Sequence, residues 1–182
     1  MNYSTIKKHD IANGLGIRIS IFVTGCTHRC EGCFNSEIWD FNSGTAFTQD
    51  TIDEILEALA PRHIKGLSLL GGEPFESQNQ ETILELLRAV REKYPNKDVW
   101  AYSGYTFEDM LHGVFRGNMT TLEILSLIDI LVDGKFVIGQ RDLTLRFRGS
   151  ANQRIINVPE SLEDGKVHLV DFVENKPQPA LV

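Results

Sequence analysis

Short apolar runs that end abruptly in glycine recur along this chain with amphipathic stretches between them, and that alternation restricts the fold more than any other feature. Ile17 to Thr24 is rich in β-branched and aromatic residues and follows the breaker Gly14-Leu15-Gly16. Leu67 to Leu70 runs into Gly71-Gly72, Val99 to Tyr102 into Ser103-Gly104, and Ile128 to Val132 into Asp133-Gly134. Between these runs, Ile52, Ile55, Leu56 and Leu59 follow Thr51-x-x-Glu54, predicting a helix opened by a capping box and stopped by Pro61. Ile83, Leu84, Leu87, Val90 and Tyr94 predict a second helix, closed before Pro95. Phe107, Met110, Leu111 and Val114 suggest a short one, and Leu122 to Leu127 another. Apolar strands alternating with amphipathic helices imply an α/β fold, a parallel sheet with helical cover. Ligands of such sheets gather at the carboxyl ends of the strands. The cysteine-bearing segment after the first run, Gly71-Gly72-Glu73-Pro74, Ser103-Gly104-Tyr105 and Asp133-Gly134-Lys135 should therefore share one rim.

The remainder is less regular. Leu143, Leu145 and Phe147 alternate with Thr144, Arg146 and Arg148, as in a two-faced strand that puts both arginines on one side. Val167 to Val173 suggests a last edge strand, and Lys-Pro-Gln-Pro beyond Glu174 a frayed tail. Gly14-x-Gly16 is a fragment of a dinucleotide fingerprint that precedes its strand and carries Ile19 where the third glycine belongs, so it reads as a turn. At 182 residues, 42% hydrophobic and 24% charged, the chain suits a single domain with one core. Eighteen basic against 25 acidic residues leave a net charge of −7, which argues against phosphate-backbone binding, so no nucleic-acid partner is expected. Met1 to Asp10 lacks the apolar core of a signal peptide, and no run approaches the ~18 residues of a membrane span. No membrane association and a cytoplasmic location are the expectation.

All three cysteines lie in Cys26-Thr27-His28-Arg29-Cys30-Glu31-Gly32-Cys33. An odd, clustered set cannot form a closed disulfide framework and reads as a ligand loop. Three thiolates do not complete a structural zinc site, which wants four ligands, and His28 sits awkwardly between the first two. A 4Fe–4S cluster also usually takes four cysteines, so three would leave one iron open to a non-protein ligand. On spacing alone a zinc site, an unligated redox thiol group and an open cluster all remain.

C-x3-C-x2-C after the first strand, followed by a Gly-Gly-Glu-Pro strand end, resembles the radical S-adenosylmethionine enzymes. Gly32 stands where the generic pattern has an aromatic, with Phe34 just after the last cysteine, which fits the branch that activates glycyl-radical proteins. Asn13-Gly14-x-Gly16-x-Arg18, Cys30-x-Gly32-Cys33-Phe34-Asn35, the strand end from Trp100 to Tyr105, Leu131 to Phe136 and Arg148-Gly149-Ser150-x-Asn152-Gln153-Arg154 are similar to the activators of anaerobic ribonucleotide reductase. The resemblance covers residues 1–157, and 158–182 form a C-terminal extension of unknown role. It implies an open partial (β/α) barrel of the radical S-adenosylmethionine type. It also implies one 4Fe–4S cluster on Cys26, Cys30 and Cys33, with S-adenosylmethionine chelating the fourth iron. The expected partners are the glycyl-radical subunit of anaerobic ribonucleoside-triphosphate reductase and a reducing electron donor such as flavodoxin.

For the cofactor, the resemblance points to Gly32, Cys33, Phe34, Asn35, Gly71, Gly72, Glu73, Pro74, Ser103 and Asp133. No acid–base dyad is needed, since cluster and cofactor carry the chemistry. Gly72 is expected where backbone must approach a ligand closely. Phe34 either packs in the core or lies against the adenine, and Asn35 bonds the cofactor or caps its own loop. His28 is expected to shield the cluster loop. Arg146 could pair with the methionine carboxylate through its fork, while Arg148 suits partner docking or local structure. Rival readings are an activator of another glycyl-radical enzyme, a non-catalytic zinc-binding interaction module and an electron-transfer ferredoxin.

Overall fold

The computed structural model describes residues 1–170. Seven strands form one open sheet: β1 (Asn2–Asp10), β2 (Ile17–Val23), β3 (Thr45–Ala46), β4 (Ile64–Gly71), β5 (Asp98–Tyr102), β6 (Ile130–Asp133) and β7 (Arg154–Asn157). Their spatial order is β3-β1-β2-β4-β5-β6-β7. The four strands β2, β4, β5 and β6 are mutually parallel, whereas β1, β3 and β7 add antiparallel edges. The helices are α1 (Gln49–Leu59), α2 (Ser77–Lys93), α3 (Phe107–Leu111), α4 (Met119–Ser126) and α5 (Val158–Asp164). The α/β class and the shared rim hold: all four glycine-bearing ends follow the parallel strands. The sheet does not close on itself.

Strand alternation explains why the central strands read as apolar throughout. Ile19, Ile21 and Val23 of β2 join Leu67 and Leu69 of β4 and Val99 and Ala101 of β5 in one core with the apolar stripes of α1 and α2. The opposite face carries Trp100, Val132 and Ile155, with Tyr102 beside Trp100 on β5 and Phe147 packed against the Trp100 ring. Arg18 also lies on that face, wholly buried. Its Nε donates to Ser68 Oγ at 2.8 Å, its Nη2 to Leu67 O at 2.6 Å, and its Nη1 pairs with Asp98. The guanidinium packs over the Trp100 ring at 5.4 Å. Gly14 has no room for a side chain, because a Cβ there would stand 2.9 Å from Arg18 Cδ.

Several local expectations change. Helix α1 is capped by Thr48, whose N–H donates to Thr51 Oγ1 at 3.2 Å, so the box lies three residues before the predicted Thr51-x-x-Glu54. Helix α2 starts at Ser77, six residues before its first predicted apolar position, on buried amides. Asn79 Nδ2 donates to Thr24 O and Glu73 O, and Gln80 Nε2 to Phe75 O. The predicted strand at 143–147 is a loop, closed by an Arg141–Ser150 bridge and turned at Phe147, with φ of 59°. Of the predicted edge strand at 167–173, only a single Ile156–Leu169 bridge forms within the described residues, and 171–173 lie outside them. Val158 and Ser161 of α5 are buried, and Gly165 ends that helix with φ of 71°.

Candidate functional site

The cysteine loop leaves β2 at Thr24 and returns at Trp39. Gly25 N–H donates to Ile38 O at 2.9 Å and Cys26 N–H to Trp39 O at 3.0 Å, which closes its base. Within it, Arg29 takes a positive φ of 47° and Gly32 one of 69°, and Cys33 N–H donates to Cys30 O at 3.2 Å. A positive φ is costly for arginine, so this turn is held from outside. Thr27 N–H and Oγ1 donate to Glu76 Oε1 at 2.7 and 2.6 Å. Asn35 Nδ2 donates to Gly71 O at 3.0 Å, and so ties the loop to the end of β4.

Glu73 is the central fastener. It is 1% exposed. Its Oε1 accepts from Phe75 N–H and Ser103 Oγ, each at 2.9 Å, and its Oε2 accepts from Gly104 N–H at 2.7 Å. His28 Nε2 stands 3.1 Å from Oε2, and the His28 ring packs on Tyr105 with centroids 4.3 Å apart. Glu73 N–H is spent on Gly25 O and its carbonyl on Asn79. One side chain thus connects the loops after β2, β4 and β5. Ser103 is occupied likewise, since its hydroxyl also accepts from Tyr105 N–H at 3.0 Å.

Gly72 has its tight neighbour inside the protein. A Cβ there would lie 2.5 Å from Gly25 O, so the close approach is to the backbone just before Cys26, not to a ligand alone. Asp133 is corrected more sharply. It is fully buried and not among the residues lining the cavity, its carboxylate accepting from Arg154 Nε at 2.9 Å and from Phe107 N–H at 2.8 Å. Arg154 also forks onto Glu108 at 2.9 and 2.6 Å, so Asp133 fastens β6 to β7 and α3.

A cavity of about 480 Å³ opens at the rim. Cys26, Cys30 and Cys33 line it, together with Phe34, Asn35, Gly71, Gly72, Glu73 and Ser103. Gly32, Pro74 and Asp133 are not among its lining residues. Phe34 is 55% exposed and therefore not core; it meets Phe136 with ring centroids 5.2 Å apart. Arg146 does not line the cavity, and Arg148 does, its Nη1 donating to Gln153 O at 2.8 Å. The two arginines share no strand face, because that segment is a loop.

Trp39, Tyr102 and Arg148 are the residues that sequence reasoning underrated. Trp39, Tyr102 and Arg148 line the cavity, and each holds a buried side-chain polar atom (Nε1, Oη and Nε) with no hydrogen-bond partner among the described residues. Buried polar groups are nearly always satisfied, so three such orphans on residues of one cavity wall stand out. Tyr102 ends an apolar run whose sequence assigns it no role, and for Trp39 the sequence carries no signal.

The three cysteines are free thiols. Burial pushes Cys26 up to about 11 and raises Cys30 as well. Such thiols ionise when a bound cation takes the place of the proton. No three His, Cys, Asp or Glu among the described residues converge as a single-ion chelate requires. Three thiols on one short loop, all lining one cavity, are the donor type that an iron–sulfur cluster takes.

Residues 12–156 match the model of the 4Fe–4S single cluster domain. The chain is 40% identical over 157 residues to the anaerobic ribonucleoside-triphosphate reductase-activating protein of Enterobacteria phage T4, covering 85% of this chain and 93% of the relative. It is 41% identical to the protein of that name from Escherichia coli K12, over 84% of this chain and 96% of the relative. The Vibrio cholerae protein of the same name is 41% identical, with 85% and 97% covered. With its cysteines gathered at one cavity and these relatives matched nearly end to end, the chain belongs to the 4Fe–4S single cluster domain family and, within it, to the anaerobic ribonucleoside-triphosphate reductase-activating proteins.

Proposed function

We propose that this protein activates anaerobic ribonucleoside-triphosphate reductase by generating its glycyl radical, with one 4Fe–4S cluster on Cys26, Cys30 and Cys33 and S-adenosylmethionine bound beside it. The observation that carries the reading is the three-cysteine loop lining a cavity at the common rim of four parallel strands, in a chain with activating proteins as relatives. When bound, cluster and cofactor supply a one-electron reductive cleavage to methionine and a 5′-deoxyadenosyl radical, which takes a hydrogen atom from a glycine of the reductase. The chain's own work is to bind, orient and exclude water. Gly71 and Gly72 present backbone at the cavity wall, Phe34 gives it an aromatic side, and Asn35, Glu73 and Ser103 hold the cysteine loop in register. Among the wall residues, Tyr102, Trp39 and Arg148 carry polar atoms without protein partners, and to them we assign the cofactor's polar groups.

The open sheet is read as the partial barrel of radical S-adenosylmethionine enzymes, with its interior on the Trp100 face. We assign the activating unit to residues 1–157 and no role to 158–182. A low-potential donor such as flavodoxin reduces the cluster. No helix among the described residues is long and apolar enough to cross a membrane, and the net charge of −7 argues against phosphate-backbone binding. The test is anaerobic reconstitution with iron and sulfide, reduction, and addition of S-adenosylmethionine with the reductase, followed by electron paramagnetic resonance. A glycyl radical with wild type and none with Cys30→Ala is expected. A colourless protein that binds zinc and yields no 5′-deoxyadenosine would defeat the reading.

A further inference from the structure

The family match stops at residue 156, and the chain continues outside the activating unit as an ordered segment. The match takes 93% of the phage relative but only 85% of this chain. Val158 N–H donates to Asp129 O at 2.9 Å where α5 begins, and Gly165, with φ of 71°, makes the left-handed turn that ends it. His168 N–H then returns to the buried Ser161 Oγ at 2.9 Å. This turn lays residues 168–170 along β7. Asn157 N–H donates to His168 O and Val170 N–H to Ile155 O, each at 2.8 Å, on either side of the antiparallel Ile156–Leu169 bridge. Val170 packs on the Trp100, Val132 and Ile155 cluster, and Val167 on the helix-covered core, so the segment is gripped on both faces of the sheet.

An open sheet has two edges, and a bare edge is a template for a strand of another chain. At one end of this sheet β3 is only two residues long, which blunts it. At the other end, β7 turns Ile155 C=O and Asn157 N–H outward, and residues 168–170 satisfy both. These outward groups lie two residues apart on one strand. An antiparallel β7 from a second copy would offer the same pair in reverse order, Ile155 of one copy opposite Asn157 of the other, which is the self-complementary contact of a two-fold dimer. We propose that residues 168–170 are a built-in edge guard, and that the surface they cover is a pairing site for β7 of a second copy of this chain. The guard makes within one chain the bonds that the second copy would make between chains, so guarded chains stay apart and unguarded ones associate.

The test reads mass against concentration by analytical ultracentrifugation in reducing buffer, and needs neither cluster nor reductase. Ending the chain after Val167 removes the guard but keeps α5, whereas ending it after Val170 keeps the guard. Val170→Pro retains the full length and deletes the N–H that bonds Ile155 O. Asn157 has φ of −76°, which proline accepts, so Asn157→Pro removes the outward N–H of β7 itself. The chain ending at Val167 and Val170→Pro should each rise toward twice the full-length mass as concentration increases. The chain ending at Val170 should match full length, and Asn157→Pro added to the chain ending at Val167 should restore the full-length mass. Circular dichroism checks that each variant folds. If the folded unguarded variants keep the full-length mass throughout, or their association survives Asn157→Pro, the guard is overturned. It is equally overturned if the chain ending at Val170 associates as strongly, or if neither unguarded variant folds, since residues 168–170 would then serve folding instead.

Discussion

Removing the Glu73 carboxylate tests whether one buried side chain holds the site together. In Glu73→Ala four groups lose their acceptor: Phe75 N–H, Gly104 N–H, Ser103 Oγ and His28 Nε2. The two side chains can turn to other partners, but the two backbone N–H groups are fixed by the strand ends that carry them. At about 1–3 kcal/mol for each orphaned buried donor, the loss is roughly 2–6 kcal/mol, centred near 4. For a domain of this size about 2–4 °C of melting temperature goes with each kcal/mol, giving a fall of roughly 8–16 °C. Glu73→Gln keeps one oxygen but turns an amide toward one fixed N–H, so it should lose about half as much. Thermal unfolding followed by circular dichroism under anaerobic conditions measures both, and iron content after reconstitution reports the cysteine loop that Glu73 steadies through His28. A Glu73→Ala protein melting within about 2 °C of wild type, with full iron, would show that the fastener is redundant.

Gly72→Ala places a methyl 2.5 Å from Gly25 O and should cost about 1–3 kcal/mol while displacing Cys26, so reconstituted iron content falls; unchanged iron and melting would remove the steric case. Arg18→Met leaves Asp98 and Ser68 without their buried partner and should cost about 3–5 kcal/mol in urea unfolding, where a loss below about 1 kcal/mol would show that Met packing compensates. The Arg154 fork holds the Glu108 carboxyl below its ordinary 4.5. Its contribution is therefore present above that value and disappears as pH falls through the folded one. Because Glu108 is largely exposed, Glu108→Gln should lose less than about 1 kcal/mol at neutral pH, and the gap should shrink as pH falls below 4.5; a gap that does not shrink on acidification would mean packing, not charge, is responsible.

The parallel core was legible because β2, β4, β5 and β6 are mostly buried and carry short apolar runs that end at glycine-bearing turns. The outer strands were not. Asn2–Asp10 is mostly exposed, and its polar residues carry no core-facing alternation. The start of α2 was hidden because Asn79 and Gln80 are buried for their amide hydrogen bonds, a role hydrophobic periodicity cannot register. Residues 143–147 alternate like a strand, but Phe147 turns with positive φ to cover Trp100, their ring centroids 5.2 Å apart. The three cysteines, the Gly71-Gly72 wall and Ser103 were found at the cavity because spacing and strand ends announce them. Asp133 stood at a strand end as well, and only its neighbours show that its carboxylate turns inward to Arg154. Trp39, Tyr102 and Arg148 are recognised by a three-dimensional property, polar atoms left without partners, that linear sequence does not display.

The alternation along β2 has a consequence for how the cysteine loop can vary. Arg18 fits only on the face where Ser68, Asp98 and Trp100 await it, and Ile19 only on the helix-covered face. The strand therefore works as a ruler: with its zero fixed at Arg18, Cys26 stands at a set distance and with a set facing. Inserting or deleting one residue between them would turn the following side chains to the wrong face, or shift the thiol by one step of about 3.3 Å. Length changes are better absorbed beyond Trp39, where Asp40, Asn42 and Ser43 form an exposed turn. A series of single-glycine insertions should map this directly, abolishing cluster assembly before Cys26 and sparing it after Asn42.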